Sequence, residues 1–436
     1  MKRILGVVAG IGLSMLFGAP SVRAQTDSSW TLEQCLRVAV ENAPRLRAGA
    51  QAAAGAEAAA REAAANRWPS VGVSGAYSYT SETQQIDIPA PIPGYTPPNI
   101  RFGDGNVYDL AVTARVPIYA GGGLWEKARA DAFGQKAATQ DLRGDSLKLA
   151  YDVRRAYFAA LGSEARAEAA RQSARRLERH LQELTSAQNI GTVSEENRLM
   201  ALSRLRQAQQ AVLAAEADAQ AARLALGNLI ARPGFEIHPA ANLDAPIADS
   251  TLSPLPLKSR AEVSAAQARL DQSRRLVRST RGALLPSLSG SAAYHYGRPG
   301  VNMTENEWMD YYTLGLSASW TLWDWQARSR RVGQARAVAG VLDARKDDLV
   351  NVLNTRYATA LSARRAAGAV QINAAERADI ERRRLNLVEG RLRQGMASES
   401  EYLDTHDDLT AAETDLISST VRLRLAEADL LYAAGY

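Results

Sequence analysis

Apolar and polar positions alternate along four short stretches of this chain. "PSVGVSGAYSY" (Pro69 to Tyr79) sets Val71, Val73, Tyr77 and Tyr79 against Ser70, Gly72, Ser74, Ala76 and Ser78. In "YDLAVTARVPIY" (Tyr108 to Tyr119), Leu110, Val112, Ala114, Val116 and Ile118 oppose Asp109, Ala111, Thr113 and Arg115. "PSLSGSAAYHY" (Pro286 to Tyr296) repeats the first phrase. In "YTLGLSASWTLW", Leu314, Leu316, Ala318, Trp320 and Leu322 oppose Thr313, Gly315, Ser317, Ser319 and Thr321. A period of two predicts β-strands over 68–80, 107–119, 286–297 and 311–323.

The other stretches have a helical period. From Leu124 to about Gln188, and again from Trp325 to about Arg393, no proline interrupts the chain. At 1.5 Å per residue each would be roughly 100 Å long, far beyond what a globular core requires. Near the C-terminus, Tyr402, Leu409, Leu416, Leu423 and Leu430 recur every seven residues, each followed three places on by Thr405, Ala412, Ser419, Ala426 or Ala433. The first half carries the same pattern in Leu205, Val212, Ala219 and Leu226, with Ala208, Ala215 and Ala222. A heptad repeat with one small residue per heptad predicts closely approaching, left-handed coiled coils.

The chain is thus written twice. The first strand phrases lie 217 positions apart, whereas the second pair, and the pair "IGTVSEENRLM" and "QGMASESEYLD", lie 204 apart. The difference of 13 residues falls in the loop "SETQQIDIPAPIPGYTPPNIRFGDGN", rich in Pro and Gly and predicted to be irregular and exposed. Each half reads helix, strand, loop, strand, long helix, joint, helix. The predicted division is a leader over 1–24, a first repeat over 25–250 with its joint at 191–194, and a second over 251–436 with its joint at 395–398.

The remaining sequence features narrow the class. Lys2 and Arg3 precede an apolar run ending at Phe17, and small or short residues at Val22 and Ala24 complete a secretory signal peptide cleaved after Ala24. Beyond it no segment reaches eighteen uninterrupted apolar residues, which excludes a helical membrane protein. The single cysteine, Cys35, follows "LEQ", where a lipoprotein signal needs small or apolar residues, so it is expected to be a helix residue and the chain to carry no lipid anchor. A net charge of +5 with no dense basic patch argues against nucleic acid as a partner. Strands of about ten residues, small polar residues on one face and aromatic ends (Tyr77, Tyr79, Tyr119, Tyr294, Tyr296, Trp320, Trp323, Trp325) fit an outer-membrane barrel with aromatic girdles. Four strands cannot close a barrel, and an open edge in lipid leaves backbone groups unsatisfied at several kcal/mol each, so the barrel must be shared between copies.

The chain resembles the TolC family of outer-membrane efflux channels over essentially its whole mature length. The likeness rests on "SWTLEQCLRVAVENAPRLRA", on "RWPSVGVSG" and "LLPSLSGS" leading into the strands, on the joints at Gly191 to Ser194 and Gly395 to Ser398, and on the terminal "LAEADLLYAAGY". The resemblance implies a mixed α/β membrane protein: an outer-membrane β-barrel of four strands per chain shared in a homotrimer, continued by a periplasmic α-helical coiled-coil barrel. It also implies partners: a periplasmic adaptor that docks on the joints (Gly191, Thr192, Val193, Ser194; Gly395, Met396, Ala397, Ser398), an inner-membrane transporter reached through that adaptor, and outer-membrane lipid. Aligned to the family's joint, Glu401 and Asp404 fall where members carry entrance carboxylates. Three apart, they share a helix face, and in a trimer they would form two cation-attracting rings. Read without the family they are two solvated helix carboxylates, and the glycines are helix stops. The family's constricting arginine aligns with Ala397, so no arginine lock is expected there, and the first-half counterparts of the carboxylates are Asn197 and Met200.

No enzyme is expected. His180, His238, His295 and His406 stand far apart without a metal-ligand spacing, and there is no nucleophile elbow, phosphate loop or paired cysteine. "DTHDD" (Asp404 to Asp408) reads as a charged helix face or a weak cation site. No cofactor or metal is implied. The expected function is a passive exit duct of a tripartite efflux system; a type I protein-secretion outlet is the nearest alternative. A free-standing diffusion porin does not need 100 Å helices, and a purely structural coiled coil does not need the strands.

Overall fold

The structure is a computed structural model; it describes residues 29–82, 85–86, 100–101, 105–240, 243, 253–302 and 305–436. The expected signal peptide and most of the Pro-rich loop lie outside the described residues. Six β-segments and seven α-helices follow in order: α1 (Leu32–Asn42), α2 (Pro44–Ala65), β1 (Ser70–Tyr79), β2 (Gln85–Ile86), β3 (Ile100–Arg101), β4 (Asn106–Ala120), α3 (Gly123–Asn189), α4 (Glu195–Leu229), α5 (Ala261–Gly282), β5 (Ser287–Arg298), β6 (Met309–Ser319), α6 (Ala327–Arg393) and α7 (Glu399–Ala434). The loop expected to be irregular contributes a small antiparallel pair, Gln85 opposite Arg101 and Ile86 opposite Ile100.

β1, β4, β5 and β6 form one antiparallel sheet in the order β1-β4-β5-β6. Its register places Val73, Val112, Tyr294 and Tyr312 side by side, with Tyr77, Tyr108, Leu110 and Tyr296 on the same face. That face is bare: Val73 is 73% exposed, Leu314 77% and Leu316 69%. An apolar sheet face left open in one chain, with uncovered edges at β1 and β6, requires lipid on the face and further strands at the edges. On the opposite face stand Ser74, Asp109, Thr113, Ser291, Thr313 and Ser317, and there His295 Nδ1 lies 3.0 Å from Asp109 Oδ1 beneath the stacked ring of Tyr311.

The sequence pattern overruns the sheet at one end. Alternation predicts a strand to Trp323, but β6 stops at Ser319, opposite Ser287, the first residue of β5. Beyond Ser287 the neighbouring chain is the turn Ala283–Pro286, whose proline has no N–H to donate, so the ladder has no further partner. Trp320 instead donates from Nε1 to the Leu284 carbonyl at 3.2 Å.

The two strand-to-helix turns show the repeat in the backbone. Gly121 (φ +58°) and Gly122 (φ +74°) turn β4 into α3; 204 residues later Trp325 (φ +52°) and Gln326 (φ +64°) make the same left-handed turn into α6. Only the first site enforces glycine by space, because a Cβ on Gly121 would lie 2.1 Å from the Gly282 carbonyl oxygen where α5 crosses. Ser279 clamps the crossing by donating from Oγ to the Gly123 carbonyl at 2.9 Å.

Helix packing places each element. In the half nearest the sheet α2, α3, α5 and α6 lie side by side; beyond it the order is α4, α3, α7, α6. Midway, Thr31 caps α1 through a capping box with Gln34, and Cys35, Ala39, Leu149, Val153, Tyr157, Leu226 and Ile230 form the main core. Cys35 is thus the helix residue expected, fully buried, and burial pushes its thiol up to about 11. In α7 every small heptad position (Thr405, Ala412, Ser419, Ala426, Ala433) is buried, and so are Tyr402, Leu409 and Leu430. Leu416 and Leu423 are only half-buried. The seam predicted from spacing is therefore the packed face of α7, tightest at its small residues.

Candidate periplasmic entrance at the helical joints

Both hairpins turn by the same chemistry. Gly191 (φ +77°) and Gly395 (φ +73°) take the left-handed conformation that ends α3 and α6. Thr192 N donates to Ala187 O at 3.0 Å, and Met396 N to Arg391 O at 2.8 Å. Ser194 and Ser398 then cap α4 and α7, accepting at Oγ from Asn197 N (3.3 Å) and Glu401 N (3.1 Å). No atom lies within 4 Å of a Cβ built on either glycine, so these tips are open surface and the glycine requirement is conformational alone. Ile190 (78% exposed) and Met396 (59%) add apolar surface at the two tips, while Val193 and Ala397 are half-buried.

Each hairpin is laced by ion pairs that step away from its joint in antiparallel register. In the second, Arg391 pairs with Glu401 (2.9 Å), Arg384 with Asp408 (2.8 Å), Arg382 with Glu413 (3.3 Å) and Arg377 with Asp415 (3.0 Å). In the first, Arg171 pairs with Glu216 (2.8 Å) and Arg223 with Glu164 (3.6 Å). Most of these groups are well exposed, so each pair contributes about 0–1 kcal/mol and the ladder mainly sets register.

Glu401 and Asp404 are both solvent-accessible on α7, but neither is a free carboxylate. Arg391 donates from Nη1 to Glu401 and from Nη2 to the Met396 carbonyl at 3.0 Å, so one guanidinium ties the carboxylate to the joint. Asp404 Oδ1 is 3.8 Å from Arg204 Nη2 on α4, and the same arginine reaches Asp407 Oδ2 at 3.1 Å. Glu401 is thus drawn towards α6 and Asp404 towards the other hairpin. Ala397 supplies no arginine, but Arg391 and Arg204 bring guanidinium groups to the two carboxylates. The sequence reading missed both, although Arg391 lies five residues before Met396 and Glu401 five after, a symmetry about the joint that an antiparallel pair requires. The "DTHDD" run is neutralised by these arginines and Arg384, and among the described residues no cluster of His, Cys, Asp and Glu could hold a metal ion.

The two hairpins meet along α3 and α7, where polar groups are buried. His180 Nε2 lies 2.7 Å from Glu399 Oε1, with side chains 7% and 3% exposed. The Tyr402 ring packs on His180 with centroids 4.1 Å apart, and burial together with the carboxylates of Glu389, Glu399 and Glu183 pushes its hydroxyl up to about 12. One heptad on, buried His406 faces Ser173, and Arg176 Nη2 reaches Glu413 Oε2 at 2.9 Å. Sequence distance had separated the two histidines; the antiparallel crossing of α3 and α7 sets them in one seam.

A four-stranded sheet built for lipid, continued by paired helices of 67 residues that end in open joints, is one protomer of an outer-membrane channel. The chain belongs to the outer membrane efflux protein family, whose model matches residues 35–232 and 252–436. It is accordingly an outer-membrane efflux channel with a periplasmic helical extension. Among solved structures it is similar to CusC (16% identity, TM-score 0.80, covering 95% of each chain). The outer-membrane channel CmeC of Campylobacter jejuni is 17% identical, with a TM-score of 0.79, over 100% of this chain and 94% of that one. MtrE of Neisseria gonorrhoeae, solved in an open state, is 20% identical, with a TM-score of 0.76, over 93% and 88%. A search of curated proteins by sequence returns no significant match.

Proposed function

We propose that three copies of this chain close a twelve-stranded barrel and a helical tunnel, and that the assembly is the passive exit duct of a tripartite system. A periplasmic adaptor docks on the joints and an inner-membrane transporter supplies the energy. The observation that carries this reading is the uncovered sheet: β1 and β6 are unpaired edges, and edges in lipid are closed by neighbouring strands. The closure repeats in the helices, where α2 and α4 flank one side of the protomer and α6 the other.

The joints form the periplasmic entrance in this reading, with Gly191 to Ser194 and Gly395 to Ser398 as the docking surface and Glu401 and Asp404 as rings of three carboxylates. Arg391 and Arg204 hold the carboxylates in place. A unit charge about 6 Å from a passing ion is worth about 0.7 kcal/mol in water and about 3 kcal/mol at a surface-like dielectric. Converting Glu401 to Gln and Asp404 to Asn together removes the negative rings and leaves Arg391 without its carboxylate, while Arg204 keeps Asp407. The double variant is expected to lose cation selectivity several-fold in planar bilayers and to lose block by multivalent cations, with the heat-stable oligomer retained. Selectivity and block equal to wild type would show that the carboxylates do not line the entrance.

A further inference from the structure

Two of the chain's four histidines are buried in the seam between the hairpins, and the duct reading gives them no task. His406 is 1% exposed. Its Nε2 sits 3.4 Å from Ser173 Oγ on α3, while Nδ1 makes no hydrogen bond although Asp407 Oδ1 is 3.5 Å away. Every charge facing the ring already has another partner. On α3, Arg176 is held by Glu413; on α4, Arg204 is held by Asp407; towards α6, Arg382 and Arg384 are turned to Glu413 and Asp408. An imidazolium formed here would face one carboxylate, Asp407, which it would share with Arg204, and would add a third cation beside Arg176 and Arg204. The ring also borders a cleft of about 570 Å³ lined by Ser173, Arg204, Asp407 and Thr410, which gives protons a path to it.

We propose that His406 is an acid-sensitive latch between the two hairpins: a proton on its ring puts a third cation into the α3–α7 seam, where only the Asp407 carboxylate, already shared with Arg204, faces it, and the seam parts to open the entrance. The proposal rests on the joints being the entrance. Burial, and then the Arg176 cation, hold His406 below its ordinary value of 6.5, against a weaker upward pull from Asp407. A depressed histidine favours the packed seam when neutral. The closed state therefore has its full stability above the ordinary histidine range and loses it as pH falls through the lowered value. His180 differs, because Glu399 Oε1 faces its Nε2 directly at 2.7 Å. Release therefore falls to His406.

Two readouts on the purified full-length oligomer test the latch. Spin labels at Arg179→Cys on α3 and Ala411→Cys on α7 report the seam, since the native Cys35 is fully buried. Planar-bilayer recording reports the entrance. Between about pH 7.5 and 5.0 the wild type is expected to show a lengthened α3–α7 distance and an open probability raised at least about tenfold. His406→Gln should abolish both responses, and His406→Arg should be open at neutral pH. Arg176→Gln, which removes the facing cation, should move the midpoint to higher pH and serves if the His406 variants fail to assemble. No lengthening in wild type, or an acid response unchanged in His406→Gln, would overturn the latch and leave acid opening to Glu401 and Asp404. Lengthening without a change in conductance would leave the latch standing and refute the joints as the entrance.

Discussion

Gly121→Ala is expected to yield no heat-stable oligomer. Its left-handed φ of +58° costs a residue with a side chain about 1–2 kcal/mol. The new methyl would also sit 2.1 Å from the Gly282 oxygen and 2.8 Å from its carbonyl carbon, backbone atoms that cannot rotate away. Overpacking of that kind adds about 1–3 kcal/mol, so each protomer loses about 3 kcal/mol or more at the junction between sheet and helices. Gly122→Ala is the control: its φ is +74° but nothing lies within 4 Å of its Cβ, so only the conformational cost of about 1–2 kcal/mol applies. Heating in detergent while following the oligomer on a gel separates the two. Equal stability of Gly121→Ala and wild type would show that α5 does not cross the turn as tightly as described.

Glu399→Ala is expected to cost about 1–3 kcal/mol per protomer, the penalty for leaving a buried hydrogen-bonding group without its partner. Here the stranded group is His180 Nε2, and α7 also loses an acidic group from its first turn, worth about 0.3–1 kcal/mol against the helix dipole. Glu399→Gln keeps an acceptor for His180 and should lose less than half as much. The seam ties the two hairpins together, so Glu399→Ala should also leave the entrance leaky at neutral pH. Faster amide exchange across the first three turns of α7, with higher conductance, is the expected result. Exchange at the wild-type rate would mean that the pair is not structural.

These two sites mark what the sequence made legible. Gly121 belongs to "YAGGGL", whose glycines announce a tight turn, and the offset of 204 reappears in the backbone at Trp325 and Gln326. The heptads of α7 could be read because packing imposes a period, and Thr405, Ala412 and Ala433 are fully buried where that period places them. The end of β6 could not, since alternation continues into Trp320 to Trp323 and only the partner chain decides where a ladder stops. Glu401 and Asp404 are singled out by likeness to a family, but their arginines are not. Arg391 follows from symmetry about the joint, whereas Arg204 and His180 lie on the other hairpin, and no spacing along the chain states how two hairpins cross. His406 looked like part of an acidic surface run; its burial comes from the seam position one place after Thr405.

The account stands on the sheet being one third of a closed barrel, and native mass spectrometry of the detergent-extracted protein tests that most directly. Three chains per particle, persisting at low protein concentration, is the predicted result. A stable single chain inserted in lipid would contradict it, because β1 and β6 would then have to remain unpaired in the membrane or find each other within one chain.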